Sequence, residues 1–144
     1  MRKQQLIYAL YGAGNTGKTT TLRLLAQKLD AVAITRDEIP DSGDFTAIFE
    51  IKGVKIAIIS AGDNEHEIKK GLEALGKRSQ YDILVCATRT RGQTTQYLTD
   101  VFQEQELRWV TNMYIYGDCP KQAFLCNQSM SDFLFNSLLL ELRT

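Results

Sequence analysis

Residues 12–19 read Gly12-Ala13-Gly14-Asn15-Thr16-Gly17-Lys18-Thr19, which fits the pattern G-x-x-x-x-G-K-[ST]. Residues 5–11, just before it, are mostly apolar, as in a buried strand. Residues 20–29, just after it, carry leucine and alanine at helical spacing. The pattern therefore stands between a strand and a helix, and this context predicts a phosphate-binding loop rather than a chance match.

Each residue type in this loop has a physical role. Gly12 and Gly17 allow backbone conformations and a close approach that a side chain would prevent. The loop amides, up to that of Thr20, can then point at an anion that the positive end of the helix dipole also attracts. We expect Lys18 to contact the β- and γ-phosphates of a nucleotide and the Thr19 hydroxyl to bind Mg²⁺. All residues from Gly12 to Thr20 are thus predicted to bind the nucleotide.

On this motif the chain resembles the P-loop NTPase superfamily. Its layout is similar to that of a trimmed Ras-like GTPase, with P-loop, helix, variable loop, hairpin, glycine turn, helix and strand in that order. In that comparison Ser60-Ala61-Gly62 stands where the family has Asp-x-x-Gly. The resemblance implies that Gly62 offers its amide to the γ-phosphate, and that Asp63 binds the metal and lies near the attacking water or acceptor. An alternative role for Asp63, compatible with the first, is to cap the following helix.

The resemblance also bears on the choice of nucleotide. Where a GTPase would carry Asn-Lys-x-Asp to bind the guanine edge, this chain has Ala87-Thr88-Arg89-Thr90. Because no carboxylate stands there, we expect ATP rather than GTP, together with Mg²⁺.

Strands and helices alternate along the chain. Strands are predicted at residues 5–11, 31–35, 45–51, 54–59, 81–87 and 108–116, and helices at 20–29, 65–76, 95–105 and 121–142. The turn Lys52-Gly53 predicts a β-hairpin between two of these strands. We therefore predict an α/β fold, specifically a three-layer α/β/α P-loop sandwich whose mostly parallel sheet has a β-hairpin edge. A length of 144 residues fits one nucleotide-binding domain over residues 1–144.

Polar, glycine-bearing segments follow three of the predicted strands, at residues 12–19, 60–64 and 88–94. Ligands of parallel α/β sheets bind at the carboxyl ends of the strands, so these segments are expected to converge on one site. Arg89 and Arg91 lie in the third segment, where arginine can make bidentate contacts to phosphate. The alternative is a solvated surface loop. With Lys18 and Asp63, they complete the set of candidate catalytic residues.

The composition of the chain argues against some classes of binding partner. Lys and Arg number 17, as do Asp and Glu, so there is no global basic field to attract nucleic acid or an anionic membrane. The three cysteines, Cys86, Cys119 and Cys126, are loosely spaced and favour free thiols in a reducing compartment. Since neither a signal-peptide pattern nor an apolar run of about 20 residues is present, we expect a cytoplasmic protein.

The predicted helix over residues 121–142 has a broad apolar stripe, from which Phe135 and Leu140 deviate. The simplest interpretation is a helix packed on the sheet. The two deviating residues leave open self-association, or a protein partner, through this C-terminal helix.

Three functions fit the sequence. The first is a slow ATPase or nucleotide-state switch, in which water attacks the γ-phosphate and the loop over residues 36–46 moves with the nucleotide state. The second is a small ATP-dependent kinase that acts on a nucleotide or metabolite held by Arg89, Arg91 and the loop with Asp37 and Glu38. In this kinase, either Asp63 or Asp37 would be the base. The third is a non-catalytic nucleotide-binding module that acts through protein partners. We favour the first, with slow hydrolysis because Ser60 replaces the usual acid.

Overall fold

The computed structural model describes residues 5–14, 16–62, 64–78, 80–89 and 93–142. Within these ranges, six strands form one mixed sheet and four α-helices accompany it. The predicted α/β class is therefore confirmed.

The strands and helices follow the chain order anticipated from the sequence. The strands are β1 (Leu6–Tyr11), β2 (Thr35–Arg36), β3 (Thr46–Ile51), β4 (Val54–Ile59), β5 (Ile83–Thr88) and β6 (Leu107–Thr111). The helices are α1 (Lys18–Val32), α2 (Glu65–Arg78), α3 (Gln93–Val101) and α4 (Pro120–Glu141), with a 3₁₀ turn at Glu104–Glu106.

The order of strands in the sheet is β2-β3-β4-β5-β1-β6. β1 pairs in parallel with β5 and β6, and β4 pairs in parallel with β5. β3 is antiparallel to both of its neighbours, β2 and β4. The β3–β4 hairpin turns at Lys52 and Gly53, with φ of 53° and 77°. Both angles are left-handed, as a two-residue hairpin turn of the primed kind requires.

Each face of the sheet is covered by two helices. The alternation along the strands sends Leu10, Phe49 and Val85 toward α1 and α4, where they pack with residues such as Leu25 and Leu134. The neighbouring positions, such as Ile7, Ala57 and Leu84, face Ile68 of α2 and Leu98 of α3. Period-two alternation in the strands thus divides the apolar side chains between two cores.

Three predicted boundaries were wrong. Residues 31–32 complete α1, and the short strand pairs only at Thr35–Arg36. The last strand ends at Thr111 because its partner β1 ends at Tyr11, whose carbonyl accepts a final bond from the Asn112 amide at 2.9 Å.

The third wrong boundary is the end of the helix predicted over residues 95–105. This helix ends at Val101 and is followed by the 3₁₀ turn. The buried Glu106 carboxylate stabilises this separate turn, because it accepts hydrogen bonds from the amides of Gln103 at 3.0 Å and Gln5 at 2.8 Å.

The apolar residues of α4 are distributed differently from the predicted stripe. Met130, Leu134 and Leu138 are buried against the sheet, and Phe135 also packs on this core. The remaining large apolar side chains at the helix surface are Phe124, Leu125, Phe133 and Leu140. Phe135, which was predicted to deviate from the packed stripe, is therefore corrected to a packed position, while association through this helix stays a prediction.

The buried cysteine leads to a testable prediction. Burial within β5 raises the pKa of the Cys86 thiol to about 12, which disfavours the reactive thiolate at pH 8. We expect Cys86 to react with a thiol reagent only in denaturant, whereas the half-buried Cys119 and Cys126 react in the folded protein. A variant with serine at both of these positions should show no native reaction. Rapid native labelling of that variant would contradict the burial of Cys86.

Candidate functional site

A cavity of about 350 Å³ opens where β4 and β5 end and α1 begins. Its lining residues are Thr16, Gly17, Lys18, Thr19, Thr20, Asp44, Ser60, Gly62 and Ala87. Two of the polar segments predicted to converge, residues 12–19 and 60–64, therefore meet here. No described residue of the third segment, 88–94, lines the cavity, although Ala87 just before it does. The loop before β3 contributes Asp44.

Lys18 is the first residue of α1, and its side chain turns back over the glycine-rich loop. Its Nζ donates hydrogen bonds to the carbonyl oxygens of Gly12 at 2.5 Å and Ala13 at 2.8 Å, and the residue is 7 % exposed. The Thr16 hydroxyl donates to the same Ala13 carbonyl at 2.7 Å. The ammonium is thus held beside the cavity, so an entering anion meets a positive charge whose position is already fixed.

Gly17 precedes α1 with φ of 77°, a left-handed conformation that suits glycine. A Cβ at this position would also lie 2.3 Å from Oδ1 of Asn127. Asn127 is a buried residue of α4, and its Oδ1 accepts a hydrogen bond from the Thr21 hydroxyl at 3.3 Å. Glycine at residue 17 therefore has two roles: it adopts the left-handed backbone conformation, and it leaves room for Asn127 of α4.

A second asparagine braces the loop from the other side. Asn112, just after β6, donates from Nδ2 to the Thr16 carbonyl at 2.7 Å and lies 3.3 Å from the Thr16 hydroxyl. Asn112 and Asn127 belong to none of the motifs that predicted the site. Both are about 100 residues from the loop they contact (96 and 106 positions in the bonds above), and no local pattern indicates such contacts.

The cavity also contains a carboxylate that the sequence analysis did not single out. Oδ1 of Asp44 accepts hydrogen bonds from the Thr19 hydroxyl at 3.1 Å and the Ser60 hydroxyl at 3.3 Å. Ser60, at the end of β4, also accepts from the Phe45 amide at 2.7 Å. The hairpin pattern could have indicated Asp44. Because Asp44 precedes β3, and β3 runs antiparallel to β4, Asp44 lies at the edge of the sheet where β4 ends.

Two groups of contacts hold the segment over residues 36–44. Arg23 of α1 donates to the carbonyls of Pro40, at 3.2 Å, and Gly43, and its guanidinium lies 5.8 Å from the centre of the Phe45 ring. At the other end of the segment, Arg78 forms two 2.7 Å bonds to the carboxylate of Asp37. Motion of this segment with nucleotide state stays a prediction.

The Asp37–Arg78 pair predicts a pH-dependent contribution to stability. The hydrogen bonds from Arg78 hold the pKa of Asp37 below its usual range, although burial opposes this. Because the folded-state pKa is lowered, the contribution exists above the unfolded carboxyl pKa of about 3.9 and is lost as the pH falls through the folded value. Since Arg78 is half exposed, Asp37→Asn should cost only about 0.5–1 kcal/mol at pH 7.

Urea unfolding of Asp37→Asn and of wild type at pH 7 and in acid measures this effect. The difference should shrink as the pH falls, and Asp41→Asn, in the same loop, should show little difference at either pH. A cost for Asp37→Asn that does not change with pH would assign the effect to packing rather than to charge.

Two further predicted residues, Gly62 and Arg89, lie beside the site. Gly62 lines the cavity, and a Cβ there would lie 1.6 Å from the carbonyl oxygen of Ala87, so the two backbones are in direct contact. The guanidinium of Arg89 lies over Gly14, where a Cβ would be 2.8 Å from Cζ. Arg89 is exposed and lies against the loop, but it is not among the cavity-lining residues. Asn15, Asp63 and Arg91 lie outside the described residues.

The oxygen atoms around the cavity suit a hard cation that also binds phosphate. Among the described residues, no group of three or more His, Cys, Asp or Glu side chains is arranged to hold a metal ion. Mg²⁺, however, is commonly bound through one or two carboxylates together with phosphate oxygens and water. The hydroxyl of Thr19 and the carboxylate of Asp44 are donors of this kind.

No helix in the described part of the chain is long and apolar enough to cross a membrane. Comparisons of the chain with protein-family models, with curated proteins and with solved structures gave no significant match.

Proposed function

We propose that this protein is a Mg²⁺-dependent nucleotide-binding protein of the P-loop NTPase type, acting as a slow ATPase or a nucleotide-state switch. The observation that carries the proposal is the placement of Lys18, Thr19 and Asp44 around one cavity at the start of α1. A loop held between a buried strand and a helix, with a lysine, a hydroxyl and a carboxylate beside it, provides the groups that a nucleotide triphosphate and Mg²⁺ require.

The proposal includes the fold: a three-layer P-loop sandwich with a mostly parallel sheet. It is supported by the two cores on opposite faces and by the parallel pairing of β1 with β5 and β6 and of β4 with β5. The cytoplasmic location is also proposed, on the sequence argument from free thiols.

In the proposed complex, the amides that follow Gly12 and the positive end of the α1 dipole bind the phosphates. Lys18 neutralises charge on the β- and γ-phosphates, and the Thr19 hydroxyl binds the metal. The amide of Gly62, across the cavity, is suited to the γ-phosphate. The guanidinium of Arg89 lies over Gly14, beside the loop that is proposed to bind the phosphates. Roles for Asp63 and Arg91 rest on the sequence argument, as does the preference for ATP over GTP.

Hydrolysis is proposed to be slow because the residue at the end of β4 is a serine. Ser60 is 2 % exposed, and its hydroxyl oxygen accepts the Phe45 amide, so it has little capacity to orient an attacking water. The Asp37 carboxylate, considered as a base for a kinase, is bound by Arg78, and its pKa is lowered. A lowered pKa makes a carboxylate a weaker base, which argues against Asp37 as the base of a kinase and leaves Asp63 for that role.

Calorimetric titration with ATP, GTP and their diphosphates, each with and without Mg²⁺, tests the proposal. We expect ATP with Mg²⁺ to bind most tightly. No binding of any nucleotide would overturn the proposal, and tighter binding of GTP would overturn the preference for ATP. Release of ADP without an acceptor would support a hydrolase, and acceptor-dependent release a kinase. Tight binding without turnover would indicate a binding module.

A further inference from the structure

The residue that carries the inference is Asp44, which ends the loop before β3. Its side chain lines the cavity beside Thr19, Ser60 and Lys18. Among the described residues, it is the carboxylate that lines this cavity, although residues 60–64 were the segment expected to provide one.

The distance between the Thr19 hydroxyl and the Asp44 carboxylate fits a shared metal ion. Mg²⁺ binds oxygen at about 2.1 Å in octahedral geometry, so adjacent ligand oxygens are about 3.0 Å apart and opposite ones about 4.2 Å. Oγ1 of Thr19 and Oδ1 of Asp44 are 3.1 Å apart. The two atoms therefore already have the spacing of adjacent ligands, and little movement is needed for both to bind one ion.

The same geometry gives a reason for the serine at the end of β4. The Ser60 hydroxyl is 3.3 Å from Oδ1 of Asp44. An aspartate at residue 60 would place a second carboxylate against the first, where two like charges disfavour each other's ionised form. One carboxylate from the loop and one hydroxyl from the strand avoid this repulsion.

We propose that Asp44 and Thr19 are adjacent ligands of the Mg²⁺ that accompanies the bound nucleotide, and that Asp44 takes the place of an acid at the end of β4. This inference rests on the proposed function, because a nucleotide's phosphates supply further ligands of the ion. It assigns to Asp44 the metal-binding role that the sequence argument gave to Asp63. It also ties the end of the 36–44 segment to the metal, next to the Gly43 carbonyl that Arg23 holds.

The test is calorimetric titration of ATP into Asp44→Asn and wild type, with Mg²⁺ and with EDTA. Loss of one metal ligand should reduce the gain in ATP affinity that Mg²⁺ provides by roughly tenfold to a hundredfold. In EDTA the variant should bind ATP as well as wild type or more tightly, because a negative charge near the phosphates has been removed. Asp41→Asn, the same change three residues earlier, should retain the full Mg²⁺ gain.

A second variant tests direct metal contact. Asp44→Cys replaces the carboxylate by a thiol, which prefers soft ions. We expect Cd²⁺, but not Mg²⁺, to restore the gain in ATP affinity in this variant. The control Asp41→Cys should keep the gain in ATP affinity that wild type shows with Mg²⁺. A role of Asp44 limited to bonding Thr19 and Ser60 predicts no rescue by Cd²⁺.

The outcomes distinguish failure of the proposed Asp44 metal contact from failure of the proposed nucleotide binding. A full Mg²⁺ gain in Asp44→Asn, or an equal loss of affinity with Mg²⁺ and with EDTA, would overturn the inference while leaving nucleotide binding in place. Absence of nucleotide binding by wild type would overturn the proposed function itself. Thermal unfolding of each variant verifies that it is folded.

Discussion

Lys18→Ala is expected to weaken nucleotide binding by roughly a hundredfold, which corresponds to about 2.7 kcal/mol. The ammonium is nearly buried, at 7 % exposed, and is fixed over the loop by the carbonyls of Gly12 and Ala13. Hydrogen bonds to charged groups contribute about 1.5–3 kcal/mol each, more than neutral ones, and a phosphate would be their anionic partner here. Since the loop provides this cation with or without metal, the loss should appear in both Mg²⁺ and EDTA.

A matched control lies on the same helix. Lys28 pairs with Asp132 at 2.7 Å, and its side chain is 38 % exposed. Lys28→Ala removes the same charge from α1 but should leave nucleotide affinity unchanged. Calorimetry of both variants, with urea unfolding to verify the fold, measures the difference. A Lys18→Ala protein that binds nucleotide like wild type would mean that the phosphates lie elsewhere on the molecule.

Gly62→Ala is expected to cause the largest loss of stability, of about 3 kcal/mol or more. The added Cβ would lie 1.6 Å from the carbonyl oxygen of Ala87 and 2.5 Å from its carbonyl carbon. These are backbone atoms at the end of the central strand β5, so they cannot rotate away as the end of a side chain can. Either residues 60–62 move outward or β5 shifts, and both changes disrupt the cavity.

Gly76→Ala is the control for this substitution. Gly76 lies in α2, and a Cβ there would meet nothing within 4 Å. Because alanine favours a helix over glycine by about 1 kcal/mol, this variant should be as stable as wild type or more so. Urea midpoints of the two variants give the comparison. Equal stability of Gly62→Ala and wild type would show that residue 62 does not contact β5 so closely.

The parts of the fold that were predicted correctly are those set by local pattern. The hairpin follows from a glycine-containing turn between two β-forming runs, and β1 and α1 follow from the apolar patterns on either side of the glycine-rich segment. Phosphate binding by that segment stays a prediction. The boundaries that were wrong depend on distant partners. β6 ends at Thr111 because β1 ends at Tyr11, and the 3₁₀ turn is stabilised by a hydrogen bond that the Gln5 amide donates to the Glu106 carboxylate. Neither partner is adjacent in sequence.

The candidate site shows the same division. Lys18 and Thr19 were predicted from the motif and Gly62 from the resemblance to a Ras-like GTPase, and all three line one cavity. Their roles in nucleotide binding stay predictions. Asp44 was missed because its position depends on which strands pair and in which direction. The asparagines that brace the loop were missed because they arrive from β6 and α4. Roles for Asn15, Asp63 and Arg91 stay predictions, as they lie outside the described residues.

The contact of Asn127 with the loop has a consequence for how the protein is made. The loop over residues 12–19 is synthesised before the partners that hold it: β1 pairs with β5 and β6, and Gly17 and Thr21 pack on Asn127 of α4. During vectorial synthesis Thr21 therefore waits for the residue 106 positions later in the chain. A nascent chain stalled before α4 lacks the brace on its loop, so we expect any nucleotide binding at this loop to require that α4 has been made and has folded.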